Sequence, residues 1–180
     1  MLHYRQLPDL SASIRFMIFV DGSNLLHSAM DAGNLRIQYV KLKDKLTAGR
    51  TLVRPYFFGS YKEPISQRQQ DFVKALRAMG YEVHMFSTQM RKDSDGHIFF
   101  REKGVDVALV TEMLYLCFNQ AFDVCCLVGG DNDYVRAVEY VKRQGRRVEV
   151  ASFRRNLGGK LQAVADKIIY LDDLIAEITY

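Results

Sequence analysis

The segment IRFMIFV, from Ile14 to Val20, carries one charged residue in seven and has no apolar-polar alternation. A strand this apolar cannot leave one face in water, so it belongs inside a sheet covered on both sides, which is the habit of parallel sheets. Similar runs recur at Thr51–Gly59, Tyr81–Phe86, Phe122–Val128 and Arg147–Ser152, with a weaker one at Lys167–Leu171. Helical spacing lies between most of them. A helix is expected to start at Pro64 and stop at Gly80, with Phe72, Leu76 and Met79 on its inner face, and two more over Val105–Phe118 and Tyr134–Arg143. Strands alternating with helices make an α/β domain in three layers, with a mainly parallel central sheet. Ligands of such sheets bind beyond the C-terminal strand ends, where the strand order reverses. Ser87–Glu102 interrupts the alternation: DSDG sits between TQMRK and HIFFRE, so a small inserted hairpin turning around Asp95–Gly96 is expected.

No repeat, linker or block of like charge divides the 180 residues, so one domain is expected over 14–180, preceded by an irregular arm over 1–13. A chain this long buries enough surface to fold without disulfides or a structural metal. Cys117, Cys125 and Cys126 are odd in number and lack ligand spacing, and they read as reduced core residues. No apolar run approaches the length of a transmembrane span, and the first 13 residues lack a signal-peptide core. The expectation is a cytoplasmic protein with no membrane partner. A net charge of +4 permits a polyanionic partner without requiring one.

The chemistry-bearing residues fall at strand ends. The first strand leaves into Asp21-Gly22-Ser23-Asn24, and the Phe122–Val128 strand leaves into Gly129-Gly130-Asp131-Asn132-Asp133-Tyr134. Between them, Asp106 opens a helix that also carries Glu112. Each acid alone could simply cap the next helix. Taken together, Asp21, Asp106, Asp131 and Asp133, with Glu112 at their side, are expected to converge in one cleft. Gathered carboxylates repel and raise one another's pKa unless cations neutralise them, and carboxylate oxygens suit Mg2+ or Mn2+. Ser23 and Asn24 would position a water or a phosphate.

These segments resemble the NYN domain family, the LabA-like branch of the PIN-like nucleases. The resemblance spans Phe16–Ser152 and rests on FVDGSNL ending at Leu25, KGVDVALVTEML over Lys103–Leu114, and LVGGDNDYVRAVEYVKRQGRRVEV over Leu127–Val150. It implies a PIN-like α/β/α fold, an acidic metal-binding cleft and RNA-directed nuclease activity. By position, Asp21 is similar to the family's first-strand aspartate, Asp106 to that of its KGVD motif, and Asp131 with Asp133 to its GDxD motif. One position departs: relatives commonly carry Asp where this chain has Glu112.

The expected function is metal-dependent hydrolysis of RNA phosphodiester bonds, with Asp21, Asp106, Asp131 and Asp133 catalytic and metal-binding and Glu112 an additional ligand. The alternative is a LabA-like regulatory module that binds RNA or protein without cutting. The expected partner is single-stranded RNA, and self-association is left open. Arg91, Lys92, Arg101 and Lys103 around the hairpin, with Arg154, Arg155 and Lys160 further on, are the candidate approaches for its phosphates. Tyr61 could stack on a base, whereas Tyr56 and Phe57 read as core. An aspartyl-phosphate phosphatase would want a second acid where Ser23 stands, and an adhesion-type DxSxS metal site loses its last serine to Leu25.

Overall fold

The computed structural model describes residues 14–92, 95, 97–101 and 104–180. The expected arm over 1–13 lies outside the described residues, as do Lys103 and Gly96. The strands are β1 (Arg15–Asp21), β2 (Thr51–Tyr61), β3 (Glu82–Ser87), β4 (Gln89–Lys92), β5 (Ile98–Arg101), β6 (Val124–Val128), β7 (Arg147–Ser152) and β8 (Lys167–Tyr170). The helices are α1 (Gly22–Asp31), α2 (Tyr39–Thr47), α3 (Gln67–Ala78), α4 (Val105–Phe118), α5 (Val135–Arg143), α6 (Gly159–Val164) and α7 (Ile175–Ile178). Six strands form one parallel sheet in the order β3-β2-β1-β6-β7-β8, and β4 pairs antiparallel with β5 as the separate hairpin. Strand order reverses between β1 and β6.

The apolar run of β1 is buried from its second residue to its last. Phe16, Ile18 and Val20 pack on one face with Leu25 of α1, Leu42 of α2 and Leu76 of α3. Met17 and Phe19 pack on the other with Leu109 of α4, Val138 of α5 and Leu161 of α6. This is the period-two division that a doubly covered strand requires. All three cysteines are buried and reduced, and burial pushes the thiols of Cys125 and Cys126 up. Among the described residues no helix is long and apolar enough to cross a membrane.

Two boundaries differ from the expectation. The third helix starts after Ser66, not at Pro64, because Ser66 and Gln69 close a capping box that satisfies two backbone N–H groups reciprocally. The fifth starts at Val135, because Asn132–Tyr134 first make a tight 3-10 turn off the end of β6. Pro55 lies inside β2, a place proline normally avoids. It is tolerated because β3 pairs with β2 only from Tyr56 onward and the β1 register slips between Phe16 and Met17.

Candidate active site

The C-terminal ends of β1 and β6 meet at the point where strand order reverses, and both lead straight into helices. Asp21 is 4% exposed. One carboxylate oxygen, Oδ1, accepts the Asn24 backbone N–H at 2.9 Å and caps α1. The other, Oδ2, accepts the Tyr134 hydroxyl at 2.7 Å. The capping reading and the site reading of Asp21 therefore both hold, on different oxygens.

Tyr134 enters from the turn after β6, and its hydroxyl oxygen also lies 3.1 Å from Oδ1 of Asp106, in the first turn of α4. Burial, then the two facing carboxylates, push the Tyr134 hydroxyl far above its usual value, so it keeps its proton. A single proton serves two carboxylates. The shorter contact takes it, so Asp21 is bonded and Asp106 faces the same oxygen atom at 3.1 Å. Asp106 itself is exposed, so the pair has one buried and one solvent-facing member.

The backbone around the pair is closely set. Gly130 N–H donates to Asn24 Oδ1 at 3.0 Å, tying α1 to the end of β6. A Cβ on Gly130 would lie 2.1 Å from the Asn156 carbonyl oxygen, so only glycine allows the loop after β7 to approach. Gly130 C=O in turn accepts from Gly158 N–H at 2.7 Å. Asn132 Oδ1 accepts from the Lys160 and Leu161 backbone N–H groups at 3.1 Å each, which caps α6. Asn24, expected to orient a water or phosphate, thus also fastens two strand ends together. Ser23 stands half-buried beside it.

Asp131 and Asp133 are exposed in the turn after β6, where Asp131 Oδ1 accepts the Asp133 backbone N–H at 3.0 Å. Glu112 is half-buried on α4, and its charge acts on the Tyr56 hydroxyl of β2, which burial above all pushes up. Six helical residues separate it from Asp106, a rotation of roughly 240°, so the two acids leave α4 in different directions. Among the described residues no group of three or more carboxylate, imidazole or thiol side chains is arranged to hold a metal ion. The donor set brought together is the pair Asp21 and Asp106. That suffices for Mg2+, which commonly takes one or two carboxylates and completes its shell with waters and substrate phosphate.

Of the expected basic approaches, Arg91, Lys92 and Arg101 fall on the hairpin strands. Arg154 is committed within the chain: its guanidinium makes a bidentate pair with Asp173 at 2.8 and 2.7 Å and lies over the Tyr170 ring. Arg155 and Lys160 are exposed. Tyr56 and Phe57 are core, as expected, while Tyr61 is half-buried at the end of β2.

Tyr134 went unread as a site residue. Its signal lay in the sequence as an aromatic with a polar tip closing an acidic motif, but only the 3-10 turn aims that tip back at β1.

The NYN domain model matches residues 15–172. The low amplitude and bright protein LabA of Synechococcus elongatus is 28% identical over 171 residues, covering 89% of this chain and 85% of that protein. A crystal structure of a protein of unknown function from Vibrio parahaemolyticus superposes with a TM-score of 0.76 at 21% identity, covering 97% of this chain and all of the other, which supports the fold alone. LabA is thus a protein this chain is similar to, and with a family match running from the first residue of β1 to the turn beyond β8 and taking in all three acidic segments, the chain belongs to the NYN domain family.

Proposed function

We propose that this protein is a metal-dependent ribonuclease that hydrolyses RNA phosphodiester bonds at the edge where β1 and β6 meet. The observation that carries the reading is the convergence of Asp21 and Asp106 on the one hydroxyl oxygen of Tyr134, where ligands of parallel sheets bind. In this reading Asp21 and Asp106 hold Mg2+ or Mn2+. A divalent ion bound there supplies an activated water and offsets charge on the phosphate. Tyr134 fixes the orientation of Asp21, which packing against β6 already restricts. Asn24 sets the spacing of the two strand ends, and Ser23 faces the phosphate. Asp131 and Asp133 add negative charge in the turn after β6 and would complete the ligand set of a bound ion, with Glu112 set back on α4. Arg155 and Lys160 guide the strand in, and the sequence adds Arg91, Lys92, Arg101 and Lys103 as candidates for the same role.

The test is cleavage of a labelled single-stranded RNA in Mg2+, Mn2+ or EDTA by wild type, Asp21→Asn and Asp131→Asn. Asn at 131 keeps an acceptor for the Asp133 N–H, so lost cleavage reports charge and not folding. Metal-dependent cutting that disappears in both variants is expected; full activity in either removes that residue from the site. A second reading is RNA binding without cleavage, in which the carboxylate of Asp21, bonded at both oxygens, serves the fold. RNA binding that is indifferent to EDTA, with no product in any metal, would select it.

A further inference from the structure

On the sheet face covered by α1, α2 and α3, opposite the face on which Tyr134 packs, lies a recess of about 200 Å3. It opens between the first turn of α1, Tyr39 of α2, the inner side of α3 and the ends of β2 and β3. Its floor is aromatic. Tyr39, Phe57 and Phe72 meet edge to face with ring centroids 5.4 to 5.7 Å apart. Phe57 is pressed against Gly22, where a Cβ would stand 2.2 Å from the ring, so the first residue of α1 must be glycine for the ring to occupy this place. The rim is polar, formed by Ser23, His27, Ser60 and Gln69. Beyond the rim a second recess of about 540 Å3 shares His27, Ser60 and Gln69 and adds Tyr61 and Lys62.

An apolar floor with a few convergent polar groups is the general form of a small-ligand site. A nucleobase matches it part by part: its flat face lies against aromatic rings, and its edge exchanges hydrogen bonds with hydroxyl, amide and imidazole groups. The inner recess suits a ring system, and the outer one, with Lys62, suits a sugar and the following phosphate. Gly22 and Ser23, on the inner rim, directly follow Asp21 in the chain. We infer that this recess is a nucleobase subsite, which receives one base of an RNA strand whose neighbouring phosphate lies at Asp21 and Asp106. The inference rests on the nuclease reading for its substrate, but its test does not depend on cleavage.

The test is an amide NMR titration of the intact protein in EDTA with AMP, GMP, CMP and UMP, with ribose 5-phosphate as the baseless control and a mixed-sequence tetraribonucleotide as the strand. At least one monophosphate shifts the amides of His27, Ser60 and Gln69, ribose 5-phosphate does not, and the tetranucleotide binds more tightly than any monophosphate. Leu26→Trp places an indole over the recess from an exposed position of α1, 55% accessible, so the core is untouched. It weakens base binding about tenfold, the scale of one lost base-stacking contact. Equal shifts from ribose 5-phosphate, or no shifts from any monophosphate, overturn the subsite. A monophosphate binding more tightly than the tetranucleotide overturns its assignment to a strand. Base binding by a wild type that cuts no RNA leaves the subsite standing and removes the nuclease reading; cutting without any base binding does the reverse.

Discussion

Tyr134→Phe isolates the hydroxyl that joins the two carboxylates, because phenylalanine keeps the ring and opens no cavity. Tyr134 is 1% exposed and Asp21 4%, so water does not replace the lost donor at Asp21 Oδ2. A hydrogen bond from a neutral donor to a carboxylate contributes about 1.5–3 kcal/mol, and the short 2.7 Å contact is the one that carries the proton. The 3.1 Å contact to Asp106 has no second proton and contributes little. The expected loss is about 2 kcal/mol, which for a domain of this size lowers the melting temperature by roughly 4–8 °C. Thermal melts in EDTA measure it free of any metal contribution. A double-mutant cycle with Asp21→Asn is expected to show a coupling of at least about 1 kcal/mol, since the second change finds the bond already gone. A Tyr134→Phe protein melting within about 1 °C of wild type, with additive effects in the cycle, would refute the bridge as the element that holds the site.

Gly130→Ala must move the Asn156 carbonyl, 2.1 Å from the new Cβ, and is expected to cost about 2–3 kcal/mol in chemical denaturation, whereas Gly159→Ala, which meets nothing, stays within about 0.5 kcal/mol. Arg50 and Glu149 form a bidentate pair at 2.9 and 3.1 Å with little exposure, and Arg50 also donates to the last carbonyls of α2. Arg50→Ala leaves the carboxylate alone and is expected to cost about 3 kcal/mol by urea titration, with Arg50→Met plus Glu149→Leu recovering most of it; a double variant no better than the single one would count against the pairing. The Arg15 side chain hydrogen-bonds Asp123 and holds that carboxyl below the usual range. A folded pKa below the unfolded one means stability present above about pH 4 and lost as pH falls through the depressed value. Asp123→Asn therefore flattens the acid limb of the stability profile, and an unchanged limb would contradict the assignment.

The sheet was legible in the sequence because burial on both faces leaves an unambiguous trace, as in Ile14–Val20 and Val124–Val128. The strand-end positions of Asp21 and Asp131 were legible from the apolar runs before them, but their use was not, since both also accept backbone N–H groups of the following turn. Their mutual arrangement was not, because a list of acids contains no directions. Asp21 and Asp106 meet through Tyr134, a contact 113 residues apart for one partner and 28 for the other. Glu112 shares the helix of Asp106, yet helical pitch turns it toward Tyr56. The start of α3 was misplaced for a local reason: proline at 64 suits a first helical turn, but the reciprocal bonds of Ser66 and Gln69 decide the matter two residues later.

The two carboxylates of the pair sit in different surroundings. Asp21 sits in the innermost strand, bonded on both sides by β2 and β6 and fastened again at its own two oxygens. Asp106 stands on the opening turn of α4, where Val105 beside it is buried in the core and the Asp106 side is exposed. Both backbones are anchored, and the two carboxylates differ in hydration: one is shut away from water and the other stands in it. An ion or a polar group arriving from water therefore meets Asp106 before Asp21, with the Tyr134 hydroxyl between them.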